Sequence, residues 1–282
     1  MIPTDVFLAI IGFAALIPAS VHDIRTREVP DWISYGLIIA GFGIRIIHSL
    51  VFSDVWYFLY GLVGFVVMLA LGLIMYYSKQ WGGGDAKLIT GLGVVFASTF
   101  DWNNFLISFS FNMLVFGALY GICWSAYLAF NNKDKFFKSF SKDLKKKRNA
   151  RLVSLIFGLI ALASVLLLKD PNLMFIICVA AFSFVVYIHL QIFVKSVEEC
   201  CMYKTLPVSR LTEGDWVAEP VYVKGKLICG PKDLGLEKEQ ITVLKKSKVK
   251  NVLVKEGIPF VPSFLIAAIS TLAWGNLLLV VI

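Results

Sequence analysis

The sequence has few charged residues. Only 16% of its 282 residues are Asp, Glu, Lys or Arg, whereas 58% are hydrophobic. A soluble globular domain is about 45–50% apolar and about 25% charged. The excess of apolar residues is concentrated in long uninterrupted runs. The composition therefore predicts a protein solvated by lipid and argues against a soluble domain with an enlarged core.

Cysteine pairs of the kind that hold zinc are also lacking. Of the five cysteines none belongs to a Cys-x-x-Cys pair, and the adjacent Cys200 and Cys201 lie at the end of an apolar run. Neither a zinc site nor a disulfide framework is indicated. We therefore expect no metal and no cofactor. The net charge of +8 lies mostly in loops between apolar runs and does not indicate nucleic-acid binding.

The apolar runs predict an all-α polytopic membrane protein. A bilayer core about 30 Å thick requires about 20 apolar residues in helical form. An additional apolar segment, 86–100, would cover only about 22 Å. Because its backbone ends need partners in lipid, we expect other helices to surround it. The fold predicted is about seven full transmembrane helices and one short buried helix, the full spans being 4–22, 32–52, 55–78, 104–130, 151–168, 173–195 and 262–282.

The distribution of positive charge predicts the orientation. Of the 27 Lys and Arg residues, all but Arg45 and Lys169 fall on one side of this arrangement, provided that 86–100 crosses the membrane. Positive loops face the cytoplasm, so we expect both termini outside. The basic loop 131–150 has two interpretations, a determinant of topology or a segment attracted to anionic lipid headgroups or an acidic partner.

Residues 196–261 form the one sizeable polar region. Residues 217–228 resemble a hairpin and 251–255 a strand, while 237–246 has helical spacing of apolar residues. We expect a small α+β cytoplasmic domain here. It would follow a helical membrane domain at 1–195, and a C-terminal transmembrane helix at 262–282 would close the chain.

Two aspartates lie at the ends of apolar segments, where ionisable groups are informative. Asp23 follows the first span, and Asp85 opens the short segment after three glycines. The predicted topology places both on the cytoplasmic side at similar depth. Two nearby carboxyl groups do not both ionise easily, so one can take a proton from water while the other polarises a carbonyl. The pair predicts an aspartyl protease site.

The neighbouring residues have candidate roles. Gly82, Gly83 and Gly84 lack side chains, so an extended substrate backbone could lie close to them. Lys87 and His22 are candidates for tuning the pair of acids, and Lys87 has the competing interpretation of a side chain that reaches the interface. Structural interpretations also exist for the acids: Asp85 could cap the short helix, and Asp23 could pair with Arg25 or Arg27.

The segment Asp23-Ile-Arg-Thr-Arg-Glu-Val-Pro-Asp31 resembles the first aspartate motif of type IV prepilin peptidases, and Gly82-Gly-Gly-Asp85-Ala-Lys-Leu88 resembles their GxGD motif. Residues 214–216 and 256–262 are similar to the C-terminal region of the archaeal preflagellin (prearchaellin) peptidase branch. The resemblance implies catalytic roles for Asp23 and Asp85. It also implies removal of a short charged leader from preflagellin or pilin-like precursors at the cytoplasmic face of the cell membrane. It does not extend to the Cys-x-x-Cys region of bacterial members, so methyl transfer is not implied.

Two other functions compete with the peptidase. A transporter or channel could use Asp23 and Asp85 as a proton or cation relay, although a relay favours acids in the middle of spans. An assembly scaffold with a basic docking domain would leave the two aspartates unexplained. The identity of the precursor and the oligomeric state do not follow from the sequence.

Overall fold

The computed structural model describes residues 3–99, 104–277 and 279, and the chain is mostly helical. Within that part, six helices are long and apolar enough to cross a membrane, namely α1, α2, α3, α5, α7 and α8 of the following series. The helices are α1 (Pro3–Thr26), α2 (Asp31–Phe52), α3 (Val55–Tyr77), α4 (Gly83–Phe96), α5 (Phe105–Asn131), α6 (Lys133–Lys146), α7 (Arg148–Val165), α8 (Pro171–Val197), α9 (Lys238–Lys245) and α10 (Val261–Trp274).

The predicted seventh full span, 262–282, is not confirmed. Helix α10 has 14 residues and therefore covers only about 21 Å. It ends at Trp274, and the next residue, Gly275, has a φ of +70°, a backbone conformation that glycine adopts more readily than other residues. Residues 278 and 280–282 of the predicted span lie outside the described residues. The short segment predicted at 86–100 corresponds to α4, and its last residue, Phe100, also lies outside them.

The chain divides into two compact units, one formed by residues 1–121 and 206–282 and the other by residues 122–205. In the first unit α4 is surrounded by α1, α2 and α3, and every residue from Leu88 to Ala97 is buried. Glycines allow the close crossing with α3. A Cβ at Gly64 or Gly93 would overlap the other's carbonyl oxygen. Small residues of this kind let two backbones approach inside a membrane bundle.

The polar part of this unit has the predicted α+β content. The strands of the described chain are β1 (Tyr203–Pro207), whose first three residues belong to the second unit, β2 (Trp216–Val217), β3 (Val221–Val223), β4 (Lys226–Cys229) and β5 (Asn251–Lys255). Strand β5 pairs antiparallel with β2, with Val217 opposite Val254. Strands β3 and β4 form the predicted hairpin, and its turn residues Lys224 and Gly225 both have positive φ. Apolar residues of α9, including Ile241 and Leu244, are buried in the small core of this region.

The second unit contains the end of α5 together with α6, α7 and α8. The basic segment predicted as a loop is the helix α6, whose apolar face includes the buried Phe136 beside Phe193 of α8, with ring centroids 5.6 Å apart. Asp143, 4% exposed, accepts a hydrogen bond of 2.8 Å from the hydroxyl of Ser196. These contacts fix α6 against α8 and leave its lysines on the outer face.

Candidate active site

A cavity of about 680 Å³ lies in the first unit. Three segments distant in sequence supply most of its lining: the end of α1 with the turn to α2, the start of α4, and the loop that leads into β2. Its lining residues are His22, Thr26, Arg27, Glu28, Val29, Pro30, Asp31, Tyr76, Gly82, Gly83, Gly84, Asp85, Lys87, Thr212, Glu213, Gly214, Asp215, Trp216 and Leu234. The predicted site residues other than Asp23 are all among them.

Asp85 is held at the start of α4 by its own helix end. The backbone N–H of Gly82 donates a hydrogen bond of 3.0 Å to Asp85 Oδ2, an arrangement of the capping-box type. The positive pole of a helix favours a carboxylate at this position. The capping interpretation therefore describes part of what Asp85 does. Because Asp85 also lines the cavity, the same carboxyl group remains available to a ligand there.

Asp23 is placed differently. It is only 4% exposed, and its Oδ2 accepts a hydrogen bond of 2.9 Å from the backbone N–H of Val261, at the start of α10. An aromatic cluster holds this end of α10 in place. The rings of Phe260 and Phe264 lie 5.7 and 5.1 Å from that of Trp81, which directly precedes the glycine run. The start of α10 thus contacts one acid directly and packs beside the segment that carries the other.

The two carboxyl groups belong to one electrostatic environment. Burial disfavours the charged form of Asp85, the charge of Asp23 disfavours it further, and the hydrogen bond from Gly82 opposes both effects. The structure thus brings together the two acids predicted from separate helices. It does not turn Asp23 toward the cavity, because its carboxylate is directed at α10.

The three glycines have different environments. None of them adopts a positive φ. A Cβ on Gly84 would lie 3.0 Å from Cβ of Val29. The absence of a side chain at Gly84 therefore lets the turn between α1 and α2 pack closely against the start of α4. Cβ atoms on Gly82 or Gly83 would meet nothing closer than 3.6 Å. Only these two present open backbone to the cavity.

Both candidate tuning residues line the cavity. Lys87 Nζ forms an ion pair of 2.7 Å with Asp31 Oδ1 and lies 5.4 Å from the centre of the Tyr35 ring. His22 is exposed on α1. A tuning role for either residue stays a prediction, and for Lys87 the structure shows the ion pair as its nearest partner.

Sequence reasoning did not assign the loop 212–216 to the site. Asp215 in this loop lines the cavity, and its Oδ2 accepts a hydrogen bond of 2.8 Å from the backbone N–H of Thr212. Burial raises the pKa of Asp215, and the charges of Glu28 and Glu256 raise it further, while the hydrogen bonds from Thr212 lower it. The cavity therefore has an acidic rim supplied by the α+β region. The resemblance at residues 214–216 was a signal for this loop, but it gave no spatial information.

Arg45 is a second residue whose role the sequence left open. Its side chain is fully buried and donates hydrogen bonds of 2.7 Å to the carbonyls of Val94 and Tyr57 and another to the carbonyl of Ala97. Two of these carbonyls belong to the C-terminal end of α4. An arginine inside an apolar span was the available signal. Within the described residues no group of three His, Cys, Asp or Glu side chains could hold a metal ion.

The fold and the site define a polytopic membrane protein with Asp85 at a cavity and Asp23 close to it. Comparison with known proteins adds a resemblance over part of the chain. Residues 10–122 match the model of the type IV leader peptidase family, a range that includes Asp23 and Asp85. In this region the chain is similar to the type IV leader peptidase family.

Individual proteins are similar to parts of the chain. The chain is 36% identical over 86 residues to a preflagellin peptidase of Methanocaldococcus jannaschii, covering 30% of this chain and 36% of that protein. It is 40% identical over 86 residues to a preflagellin peptidase of Methanococcus maripaludis, covering 30% and 37%. To the prepilin peptidase EppA of Methanothermobacter thermautotrophicus it is 31% identical over 107 residues, covering 38% and 26%. These alignments thus span about a third of each relative or less. No solved structure matches the chain significantly.

Proposed function

We propose that this protein is a membrane aspartic endopeptidase that removes the leader from preflagellin or pilin-like precursors, with Asp23 and Asp85 as its catalytic pair. The observation that carries the proposal is the position of Asp85 at the cavity, within the electrostatic influence of Asp23. The match of residues 10–122 to the type IV leader peptidase family supports the same reaction. The excess of basic residues on one side of the predicted topology supports a cytoplasmic active site.

The chemistry proposed needs neither a metal nor a covalent nucleophile. Two adjacent carboxyl groups share a proton, because ionising the second beside the first is costly. The charged member takes a proton from a water molecule as that water attacks the scissile carbonyl carbon. The protonated member donates a hydrogen bond to the carbonyl oxygen. The pair titrates as a unit, so cleavage should have a bell-shaped dependence on pH.

Substrate binding in this scheme uses the open backbone of Gly82 and Gly83. A peptide in extended form can exchange main-chain hydrogen bonds with such a segment. Asp23 would have to exchange its hydrogen bond with Val261 for contact with the substrate or with water. A small movement of α1 against α10 would complete the site in that way, as happens where closure of a site accompanies binding.

The test is a cleavage assay with purified full-length protein and a preflagellin precursor, comparing wild type with Asp23→Asn and Asp85→Asn. Each substitution keeps the size of the side chain and removes its titratable proton. We expect each to lower kcat/KM by at least about 100-fold, as for loss of a general acid or base. Near wild-type cleavage by either variant would exclude the catalytic pair.

A matched control is Asp54→Asn. Asp54 precedes α3 and accepts a hydrogen bond from the N–H of Tyr57, and asparagine is an equally good residue at a helix start. We expect unchanged cleavage. The relay function would be favoured instead if wild type failed to cut any precursor while reconstituted vesicles showed a proton or cation flux that both aspartate variants abolished.

A further inference from the structure

The second unit contains a smaller cavity of different character. It has a volume of about 280 Å³ and lies where α6 passes into α7. Three cations and three leucines line it: Lys145, Arg148, Arg151, Leu144, Leu152 and Leu155. None of these six described residues is acidic. A cavity with this composition attracts an anion that also carries apolar groups.

The positive charges of this cavity are uncompensated. Among the described residues, no carboxylate lies within ion-pair distance of Lys145, Arg148 or Arg151. Arg151 is partly used, since its Nη1 donates a long hydrogen bond of 3.4 Å to the carbonyl of Leu144. Its Nε is buried and has no hydrogen-bond partner. A buried guanidinium nitrogen without a partner is costly, and an anionic oxygen would satisfy it.

The start of α7 adds to the excess of positive charge at this cavity. Arg148 and Arg151 lie in the first turn of this helix, which contains no acidic residue. That end of a helix carries the positive pole of the macrodipole, where cations are unfavourable and anions are stabilised. The lysines at the end of α6 lie at the negative pole of their own helix, which favours cations. The uncompensated positive charge is therefore that of the two arginines. Charge therefore accumulates here without any group in the described part of the chain to offset it.

The position of the cavity along helix α7 indicates which kind of anion it binds. Arg148 is the first residue of a helix long and apolar enough to cross a membrane, so the cavity lies where headgroups meet hydrocarbon. Leu152 and Leu155 are 45% and 44% exposed on the next turns of that helix. A phosphate beside the cations would leave an acyl chain to run along these leucines. The predicted attraction of this segment to anionic lipid thus acquires a defined site.

We propose that Lys145, Arg148 and Arg151 form a binding site for one anionic phospholipid, whose phosphate contacts the three cations and whose chain packs on Leu152 and Leu155. Arginine suits this role because its guanidinium presents several donors to phosphate oxygens. The site belongs to the second unit and does not depend on the peptidase function.

The test uses native mass spectrometry of the full-length, delipidated protein in detergent, titrated with dioleoyl-phosphatidylglycerol and, separately, with dioleoyl-phosphatidylcholine. We expect one phosphatidylglycerol to bind in preference to phosphatidylcholine. The triple variant Lys145→Gln/Arg148→Gln/Arg151→Gln should weaken this binding by on the order of 100-fold, given the usual contribution of each basic residue near a lipid surface. Its thermal melting curve verifies that the variant is folded.

The matched control removes three lysines from the other half of α6, Lys133→Gln/Lys135→Gln/Lys138→Gln. We expect less than about a threefold effect on phosphatidylglycerol binding, because these residues do not line the cavity. Equal weakening by both triple variants would show attraction by general surface charge and overturn the site, as would equal binding of the two lipids. Complete displacement of the lipid by millimolar inorganic phosphate would identify a phosphate site and overturn the lipid assignment. If the triple variant does not fold, Arg151→Lys replaces it, with a several-fold loss expected.

Discussion

Each end of helix α4 has an ionisable side chain, and the two side chains are used differently. At the C-terminal end, Arg45 is fully buried and directs three hydrogen bonds to backbone carbonyls. At the N-terminal end, Asp85 accepts one hydrogen bond, from Gly82, and otherwise faces a cavity. A charge inside an apolar bundle is costly unless it is paired. An ionisable side chain that makes several hydrogen bonds to the backbone, as Arg45 does, stabilises the fold. One that makes a single hydrogen bond and lines a cavity, as Asp85 does, stays available for chemistry.

The largest effect on stability should come from Arg45→Leu. The change leaves the carbonyls of Val94 and Ala97 buried without donors at the end of α4. At about 1–3 kcal/mol for each unsatisfied acceptor, we expect the free energy of unfolding to fall by about 2–6 kcal/mol. Thermal melting in detergent, followed by tryptophan fluorescence, measures it. Lys169→Leu is the control, since Lys169 is exposed, and equal melting temperatures for the two variants would contradict a structural role for Arg45.

The crossing of α3 and α4 should be the next most sensitive feature. In Gly93→Ala the new methyl group would meet the carbonyl of Gly64 and the side chain of Met68. Overpacking of this kind costs about 1–3 kcal/mol. Gly43→Ala is a matched control, because a Cβ at Gly43 meets nothing within 4 Å. Equal stability of Gly93→Ala and Gly43→Ala would contradict close backbone packing as a feature that fixes α4 against α3.

Gly83→Ala separates stability from substrate binding at the open end of α4. The nearest atom to its new methyl group would be a ring carbon of Tyr76 at 3.7 Å, so we expect stability to stay equal or to rise by up to about 1 kcal/mol, since alanine is the better helix former. If a substrate backbone passes over this residue, kcat/KM falls several-fold. Unchanged kcat/KM would contradict the proposed use of the glycine run. By contrast, Gly84→Ala should destabilise the protein through Val29.

The smallest effect is expected at the ion pair between Lys87 and Asp31. These side chains are 39% and 60% exposed, and exposed pairs contribute about 0–1 kcal/mol. Lys87→Gln and Asp31→Asn should therefore change the melting temperature little and kcat/KM by less than about threefold. A tuning role for Lys87 would instead appear as a shift in the pH profile of cleavage in Lys87→Gln, measured at saturating and limiting substrate.

Several features of the fold followed from the sequence because they depend on local pattern. Six of the predicted spans correspond to helices long enough to cross a membrane, and the short buried helix is α4. The hairpin at 221–229 and the strand at 251–255 also followed from alternation and turn residues. The seventh span is not confirmed. Residues 262–282 are mostly apolar, and apolar composition does not reveal that α10 ends at Trp274, before Gly275.

The sequence likewise predicted some features of the candidate site and missed others. Asp23 and Asp85 were identifiable because acids at the ends of apolar runs are unusual, and their glycine neighbours were visible in the sequence. The sequence did not reveal the direction in which the Asp23 carboxylate points. It also did not reveal that Asp215 lines the cavity, since a polar loop of an α+β region has no pattern that relates it to a distant helix.

By itself the sequence determined the polytopic membrane class and six of the helical spans, and it pointed to the two candidate acids, because hydrophobic length and misplaced charge are properties of neighbouring residues. Tertiary structure alone decided that Asp23 meets the start of α10, 238 residues away, and that Arg45 supplies the end of α4, 49 residues away. Both contacts satisfy backbone groups that helix ends leave unpaired. In an apolar bundle a side chain from any part of the chain can fill that need, so only the folded arrangement reveals which one does.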